Sequence, residues 1–262
     1  MTPEEIAETG LACAVDGPVA TITLNRPKVR NAQHPRLWAG MVRLLEGFGD
    51  DVRVVVVRGA GGTFSAGLDL ALLDPARAGE EGSLVATMAK SDQEIIDTIG
   101  NYQLPFAMLA DPRFLTIAVV EGHAIGAGFQ LALCCDLRIL TDDARFCMKE
   151  PALGLVPDLA GTQPLVAAAG YARALEICAS ARMVSAAEAL DYGIAQSVVS
   201  ADALDETLAA LVASLTAHSP DAVRATKALL QQAPHRSLEE QRLAERTAQV
   251  ARFRALAPLL GL

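Results

Sequence analysis

Two strand-like segments, separated by an amphipathic helix, constrain the fold of this chain more than any other feature of its sequence. Residues 19–24 alternate apolar and polar side chains, as a half-buried strand does, whereas the valine-rich residues 52–57 predict a strand buried on both faces. The segment between them carries apolar residues at the spacing of one helix face: Leu37, Met41, Leu44, Leu45 and Phe48. A strand, a helix and a second strand in this order predict a parallel crossover unit, and therefore an α/β fold.

Further along the chain, strand signals give way to helix signals. Residues 115–120 predict a second buried strand, followed by a glycine-rich turn at residues 122–128, a short helix and another strand at residues 136–140. Three helix starts follow: the capping boxes Ser185 with Glu188 and Ser237 with Glu240, and Ser219 before Pro220. We therefore predict an α/β core over residues 1–198 and a helical subdomain over residues 199–262.

The segment at residues 73–91 interrupts the regular pattern. It lacks both periodicities and contains the polar, glycine-bearing stretch GEEGS at residues 79–83. Such loops often cover binding sites, so we predict a mobile flap here.

Composition excludes several classes of function. Of the 262 residues 52% are hydrophobic, but no apolar run approaches the ~20 residues that a membrane helix needs. The formal net charge of -9 disfavours nucleic acid as a partner, because that binding needs a clustered basic surface. The five cysteines form no zinc pattern, and the amino terminus lacks a secretory signal. We expect a cytoplasmic protein with reduced thiols, no metal and no membrane contact.

Four segments carry motifs in a distinctive order. They are LNRPKVRNA at residues 24–32, FSAGLDL at residues 64–70, GHAIGAG at residues 122–128, and the stretch from Glu150 to Gln163. In order and spacing they resemble the crotonase superfamily, to which enoyl-CoA hydratases and isomerases belong. The resemblance covers most of the chain. It implies a core of ββα spiral turns with an acyl-CoA site, a carboxy-terminal helical region for oligomerisation as a homo-trimer or dimer of trimers, and an enzyme of fatty acid metabolism.

Chemistry of this kind places negative charge on a thioester oxygen, so hydrogen-bond donors must already face it. By resemblance, the two donors of this oxyanion hole are the backbone N–H groups of Leu68, which follows Gly67, and Ala127, which lies between Gly126 and Gly128. Glycine lets the backbone turn tightly and approach a ligand closely. Removing one donor from such a hole typically costs about 10²- to 10³-fold in rate.

The acid and base residues depart from the usual hydratase pattern. Typical hydratases of the family hold water between two glutamates; Glu150 takes the second position, whereas Gln130 stands at the first. Gln130 forms hydrogen bonds but cannot exchange a proton, so we expect it to orient water or substrate. The proton transfer then falls on Glu150, whose pKa we expect apolar surroundings to raise. Asp158 resembles an acid of the dienoyl-CoA isomerases, and it is either a second proton carrier or a turn residue after Pro157.

The resemblance also implies contacts with coenzyme A. Basic side chains suit its phosphates, and backbone groups near residues 65–70 suit its adenine. Lys227 is either a second phosphate contact or an ordinary solvated lysine. The predicted substrate and CoA contacts are Arg26, Lys28, Arg30, Ser65, Ala66, Asp69, Leu70, Gly126 and Lys227. No permanently bound cofactor is expected, because the CoA thioester is the substrate and the amides replace a metal.

Two other chemistries are rejected on motif grounds. The turn at residues 122–128 reads GxxxGxG rather than the GxGxxG of dinucleotide-binding folds. Ser65 with His123 lacks both the GxSxG elbow and an acidic orienting residue, so a serine hydrolase is disfavoured.

Four hypotheses remain for the reaction. We favour double-bond isomerisation, because a single carboxylate at Glu150 is sufficient for it. The alternatives are hydration of a trans-2-enoyl-CoA by Glu150 with Gln130 or Asp158, a dienoyl-CoA isomerase that uses Glu150 with Asp158, and an acyl-CoA-binding protein with little turnover.

Overall fold

A computed structural model describes residues 1–80 and 82–261 of the chain. The strands in this part are β1 (Leu11–Asp16), β2 (Val19–Leu24), β3 (Val54–Gly59), β4 (Leu115–Val120), β5 (His123–Ile125), β6 (Leu137–Thr141), β7 (Arg145–Cys147), β8 (Val184–Ser185) and β9 (Ser197–Val199). The α-helices are α1 (Pro3–Glu8), α2 (Pro35–Gly47), α3 (Leu84–Met88), α4 (Asp92–Met108), α5 (Ala127–Cys134), α6 (Thr162–Ala169), α7 (Tyr171–Ser180), α8 (Ala186–Asp191), α9 (Leu204–Thr216), α10 (Pro220–Gln232) and α11 (Leu238–Leu256). The predicted α/β class with a helical carboxy-terminal region is confirmed.

A six-stranded sheet in the order β1-β2-β3-β4-β6-β9 organises the fold. β1 and β2 form an antiparallel hairpin, while the pairs from β2 to β9 are all parallel. The predicted crossover from β2 through α2 to β3 is therefore confirmed. A smaller sheet, β5-β7-β8, lies beside it. Because β2, β3 and β4 are parallel, the loops that follow them emerge at one edge, which is where ligands bind in sheets of this kind.

The central strand β3 is buried on both faces, as its valines predict. Val55 and Val57 belong to the main core, which includes side chains of α2, α4 and α5. Val54 and Val56 belong to a second cluster that α9 covers with Leu204 and Leu208. Successive strand side chains point to opposite faces, so each valine pair serves a different core. The main sheet thus lies between two helical layers.

The helix α9 packs on the same sheet as the core strands, so the carboxy-terminal region begins as part of that layer. The predicted boundary between residues 198 and 199 falls inside β9, which pairs with β6. In contrast, α11 buries none of its side chains. The division into two domains stays a prediction; Leu262 lies outside the described residues.

Several local predictions can be compared with the structure. The capping boxes at Ser185 and Ser237 are confirmed, and a helix does begin after Ser219, although the Ser219 side chain makes no capping bond. The predicted flap at residues 73–91 contains the short helix α3 and a 3₁₀ turn at Pro75–Arg77; its Glu81 lies outside the described residues. Sequence reasoning missed β1 and the long helix α4.

Across residues 1–80 and 82–261, no helix is both long and apolar enough to cross a bilayer. Within the same ranges, no group of three or more His, Cys, Asp or Glu side chains is arranged to hold a metal ion.

Candidate active site

A cavity of about 450 Å³ opens at the edge where the loops after β3 and β4 meet. Apolar side chains form most of its wall, and its charged lining residues are few. The lining residues are Trp38, Ala66, Gly67, Leu68, Leu70, Leu73, Leu84, Thr87, Met88, Ile95, Ile99, Tyr102, Ile125, Gly126, Ala127, Lys149, Glu150, Leu153, Leu155, Val156, Asp158 and Leu159. Its volume suits a small-molecule ligand, and Leu68, Ala127 and Glu150 all face this one cavity.

The backbone N–H of Leu68 is kept free by the way its neighbours bond. Gln33 pairs with Leu68 as an isolated parallel bridge. Gln33 N–H donates to Gly67 C=O at 2.7 Å, and Asp69 N–H donates to Gln33 C=O at 2.8 Å. Leu68 lies between these two bonded neighbours, and in a parallel pair a residue in that position directs its own N–H away from the partner strand. Leu68 N–H accordingly has no acceptor within the described residues and remains available to a ligand.

The N–H of Ala127, in the first turn of α5, also has no acceptor in the part of the chain that the structure describes. Gly126 precedes it with φ +50° and supplies no capping side chain, so the helix amino terminus is open. The segment approaches Gly67 so closely that a Cβ on Gly67 would stand 2.5 Å from Ile125 C=O and 3.7 Å from Ala127 N. Gly67 has φ +91°, which L side chains rarely adopt. Within the described residues, two N–H groups without an acceptor, one with the favourable dipole of a helix start, therefore lie on segments that are in close contact.

Glu150 lines the same cavity and lies close to Gly126, the residue before Ala127. It opens the 3₁₀ helix Glu150–Leu153, and its Oε1 is 3.1 Å from where a Cβ on Gly126 would be. Among the described residues, its buried Oε2 has no hydrogen-bond partner. Burial raises the pKa of Glu150, and the charge of Asp158 raises it further, whereas the hydrogen bond from Gln130 lowers it. The site therefore holds a carboxyl whose pKa is raised, so it keeps a proton to higher pH than an exposed glutamate does.

Asp158 is the second acid of the cavity. It lines the wall with Glu150, and burial raises its pKa as well. Its main-chain carbonyl accepts a hydrogen bond from Gln103 of α4 at 2.6 Å, which fixes the loop. Asp158 is therefore a partly buried cavity residue rather than a solvated turn residue.

Gln130 has a different place from the one expected. It is 0% exposed, and the cavity wall described above does not include it. Its Oε1 accepts from Leu159 N–H at 2.8 Å and Gly161 N–H at 3.3 Å, while its Nε2 donates to Glu150 Oε1 at 2.7 Å. The prediction that it orients water or substrate directly is a poor fit to this burial. Instead, Gln130 holds the carboxylate of Glu150.

Three of the nine predicted CoA-contact residues line the cavity. Ala66, Leu70 and Gly126 line it, whereas Lys28 and Arg30 are exposed on the neighbouring loop. Arg26 is committed to the protein, because its guanidinium binds Asp69 Oδ2 at 3.0 Å and Ala32 C=O at 2.6 Å. The Asp69 carboxylate is therefore also occupied, by its ion pair with Arg26. Of the basic residues at 26–30, only Lys28 and Arg30 present exposed charges.

Two predicted CoA contacts are wrong for this chain. Lys227 is buried in α10, and its Nζ donates to Asp111 C=O, Phe114 C=O and Asp136 Oδ2 at 2.7–3.0 Å. An ammonium has three N–H donors, so none remains for a phosphate.

Ser65 is also unavailable to a ligand. It is 0% exposed, and its N–H and C=O pair with His123 and Ile125. The short sequence motif could not reveal either environment, because both depend on residues distant in the chain.

Sequence reasoning also missed the wall that faces the amides. Ile95, Ile99 and Tyr102 of α4 line the cavity beside Trp38 of α2. The ring centroids of Trp38 and Tyr102 are 5.0 Å apart. The spacing of four and three residues along α4 is that of one helix face, and this signal was available in the sequence. The Ser91 and Glu94 capping box marked where the helix begins.

Comparisons with known proteins agree with this architecture. The profile of the Enoyl-CoA hydratase/isomerase family matches residues 15–256. An enoyl-CoA hydratase, so named provisionally, from Thermobifida fusca YX has been solved in complex with acetoacetyl-CoA. It is 47% identical, with a TM-score of 0.91 over 97% of this chain and 99% of that one. These likenesses support the crotonase-like spiral expected from the motifs.

Curated relatives divide between two reactions. The mitochondrial Delta(3,5)-Delta(2,4)-dienoyl-CoA isomerase of Mus musculus is 32% identical over 251 residues, 91% of this chain and 74% of its own. The 2,3-dehydroadipyl-CoA hydratase of Escherichia coli K12 is 31% identical over 223 residues, 84% of this chain and 81% of its own. Similarity alone therefore does not choose between isomerisation and hydration.

Proposed function

Because the chain belongs to the enoyl-CoA hydratase/isomerase family, we propose that it isomerises the double bond of an enoyl-CoA thioester. The observation that carries this proposal is the hydrogen bond from Gln130 Nε2 to Glu150 Oε1, at 2.7 Å. An amide replaces the first glutamate of the hydratase pair, so that position holds the base but cannot supply or take a proton.

The proposed reaction moves one proton between two carbons. The thioester oxygen accepts hydrogen bonds from Leu68 N–H and Ala127 N–H, which face the cavity with Glu150. Glu150 removes a proton from C2 of a 3-enoyl-CoA, and the electron pair of that C–H bond delocalises onto the thioester oxygen. The protonated Glu150, or Asp158, then delivers a proton to C4, the double bond becomes C2=C3, and the oxygen charge returns to the C=O bond. The amides are worth most at the stage where the oxygen is negative.

Asp158 supports a variant of this reaction on a dienoyl-CoA. It lines the cavity with Glu150, and burial raises its pKa, so it can hold a proton at higher pH than an ordinary aspartate does. A dienoyl substrate requires the proton to travel further along the chain, which suits two separate carboxyls. The named isomerase relative is consistent with this variant.

Hydration is the second candidate. The unpartnered Oε2 of Glu150 favours it, because a buried carboxylate oxygen without a donor can accept a hydrogen bond from water. Glu150 would take one proton from water as the water oxygen adds to C3 of a 2-enoyl-CoA, and a carboxyl would deliver one proton to C2. The hydratase relative is consistent with this reaction.

The acyl group that this cavity suits is an uncharged hydrocarbon. Ile95, Ile99 and Met88 supply apolar wall, and Lys149 is the one cation among the described lining residues. A second carboxylate on the substrate would be desolvated near Glu150 and Asp158, which disfavours it. Lys28 and Arg30 are both exposed, and the Arg30 C=O accepts from the N–H of the lining residue Ala66, so these two are the proposed partners of the CoA phosphates.

Incubation with trans-2- and trans-3-enoyl-CoA in deuterated water distinguishes the candidates. Isomerisation predicts interconversion of the two compounds with deuterium incorporation and no gain of water, read by mass spectrometry. Net addition of one water molecule to the trans-2 compound would favour hydration instead. Tight binding of the CoA esters without any conversion would leave the acyl-CoA-binding alternative. A Glu150→Gln variant is the control for uncatalysed exchange.

A further inference from the structure

The hydroxyl of Ser65 is buried between the two segments that carry the free amides. Its Oγ donates to Asn31 C=O at 2.8 Å and accepts from Gly67 N–H and Gln33 Nε2, both at 3.1 Å. A hydroxyl has one donor and two acceptor sites, so its capacity is fully used. The side chain is 0% exposed and does not reach the cavity. All hydrogen bonds of this hydroxyl are therefore to protein groups next to the cavity, and none is left for a ligand.

One of these contacts is to the residue before Leu68. Gly67, the residue before Leu68, would leave its buried N–H unpaired without Ser65 Oγ. The same hydroxyl accepts from the Gln33 side chain, and the Gln33 backbone bonds to the residues on either side of Leu68. The other end of the Gln33 amide accepts from Trp38 Nε1 at 2.9 Å. Ser65 Oγ thus bonds to both Gly67 and Gln33, the residues whose backbone hydrogen bonds leave Leu68 N–H without an acceptor in the described residues.

Ser65 also pairs with the segment that leads to the Ala127 amide. It forms a parallel bridge with Ala124, through Ser65 N–H to His123 C=O at 2.8 Å and Ile125 N–H to Ser65 C=O at 2.9 Å. Leu68 and Ala127 each lie three residues beyond this bridge. Gly128 packs against the same residue, since a Cβ there would be 2.8 Å from the Ser65 Cβ.

We propose that Ser65 is a positioning residue that sets the separation and direction of the Leu68 and Ala127 N–H groups. This inference rests on the proposed function, in which those groups bind the thioester oxygen. The oxyanion forms on the way to the enolate, so misplaced donors cost more in the transition state than in substrate binding. Loss of the Ser65 hydroxyl then lowers kcat per folded molecule with little change in KM, whereas a general loss of stability lowers the folded fraction and leaves the kcat of the folded molecules unchanged.

The first test compares Ser65→Ala with Thr116→Val. Thr116 is also 0% exposed, and its hydroxyl bonds to Leu109 C=O and Asp136, away from the cavity wall. Measured on folded protein, Ser65→Ala should lower kcat about 10-fold or more, with KM changed less than about threefold. Thr116→Val should keep kcat while lowering the melting temperature. An unchanged kcat in Ser65→Ala would overturn the inference.

A spectroscopic test separates this inference from the proposed function. In a Glu150→Gln background, which halts proton transfer, the infrared stretch of a ¹³C-labelled thioester carbonyl should move to lower frequency on binding. Adding Ser65→Ala should reduce that movement. No movement with Ser65 intact would refute the amide pair itself, whereas an equal movement with and without the Ser65 hydroxyl would refute only the positioning role.

If Ser65→Ala does not fold, Gly128→Ala tests the same geometry with the hydroxyl retained. The added Cβ would push against the Ser65 Cβ and C=O, both 2.8 Å away. We expect the same loss of kcat and the same reduced carbonyl movement. Retention of both wild-type values would contradict the proposal.

Discussion

Glu150 and Gln130 are joined by a 2.7 Å hydrogen bond whose direction is fixed by the protein around it. Because Gln130 Oε1 accepts from the backbone N–H groups of Leu159 and Gly161, its Nε2 must face the carboxylate. Glu150 Oε1 is thereby occupied, and Oε2 is the oxygen without a partner in the described part of the chain. The pair supplies one proton-exchanging group and one fixed donor.

The carboxylate of Glu150 should be indispensable for turnover but not for binding. We expect Glu150→Gln to lower kcat at least about 100-fold, the lower range for loss of a general acid or base, while the Kd for a CoA ester stays within about threefold. Steady-state kinetics and calorimetric titration measure the two quantities. Wild-type turnover in this variant would show that another residue is the base.

The acidic limb of the pH–rate profile should report the pKa of Glu150. Burial raises that pKa, so activity that needs the ionised base should rise at higher pH than for an ordinary glutamate. The Asp158 charge raises the pKa of Glu150, so Asp158→Asn should move the limb to lower pH. The Gln130 bond lowers it, so Gln130→Met should move the limb to higher pH. The midpoint of the limb is read from a plot of log(kcat/KM) against pH. If both variants moved that midpoint in the same direction, the assignment would be contradicted.

Gly67 should not tolerate a side chain. Gly67→Ala places a Cβ 2.5 Å from Ile125 C=O and must displace the Leu68 amide, so kcat should fall about 100-fold or more. Gly17→Ala is the matched control, since Gly17 also has positive φ but has no atom within 4 Å of the added Cβ. Both variants carry backbone strain of about 1–2 kcal/mol, measurable by urea unfolding. Equal kcat losses in the two would refute the local explanation.

The acyl wall should discriminate by charge. Wild-type kcat/KM for a medium-chain enoyl-CoA should exceed that for its ω-carboxylate analogue by about 100-fold, because an unpaired buried charge costs several kcal/mol.

Introducing a cation into this wall tests the same idea. Ile99→Arg should reduce the ratio of kcat/KM for the uncharged substrate to kcat/KM for the ω-carboxylate analogue. Ile96→Arg is the control and should leave this ratio unchanged, because Ile96 lies on the same helix but is 60% exposed and does not line the cavity. A wild-type preference for the ω-carboxylate analogue would refute the hydrocarbon assignment without touching the isomerase proposal.

Lys227 should matter for stability rather than for CoA. Its Nζ lies 2.7 Å from Asp136 Oδ2, with the lysine side chain 5% exposed. Lys227→Met leaves that carboxylate without its cation, and we expect a loss of about 3–5 kcal/mol in the free energy of unfolding. Arg242→Met, which removes an exposed pair with Glu239, should cost less than about 1 kcal/mol. A raised KM for the CoA ester at unchanged stability would restore the predicted phosphate contact.

Local patterns predicted the parts of the fold that depend on local chemistry. The valines of β3, the helix α2 and the capping boxes at Ser185 and Ser237 all encode their structures within a few residues. The motifs also located the residues that meet in the cavity, because glycines at positions 67 and 126 have positive φ.

Long-range contacts account for what the patterns missed. Ser65 and Lys227 look like free polar residues in the sequence, yet partners up to 116 positions away bury them. Gln130 could be recognised as unable to carry a proton, but only the fold places it against Glu150 and the loop at residues 158–161. The helix α4 was missed although its capping box and one apolar face are present in the sequence, but only the fold shows that this face lines a cavity.

The electrophilic groups of this site belong to the main chain, and every amino acid except proline carries an N–H there. A substitution at position 68 or 127 by any residue other than proline can therefore shift the donor but cannot remove it. Heritable change in the reaction catalysed is therefore expected to accumulate at residues 130, 150 and 158. In such a lineage, new products can arise by exchanging one or two acids around an inherited amide pair.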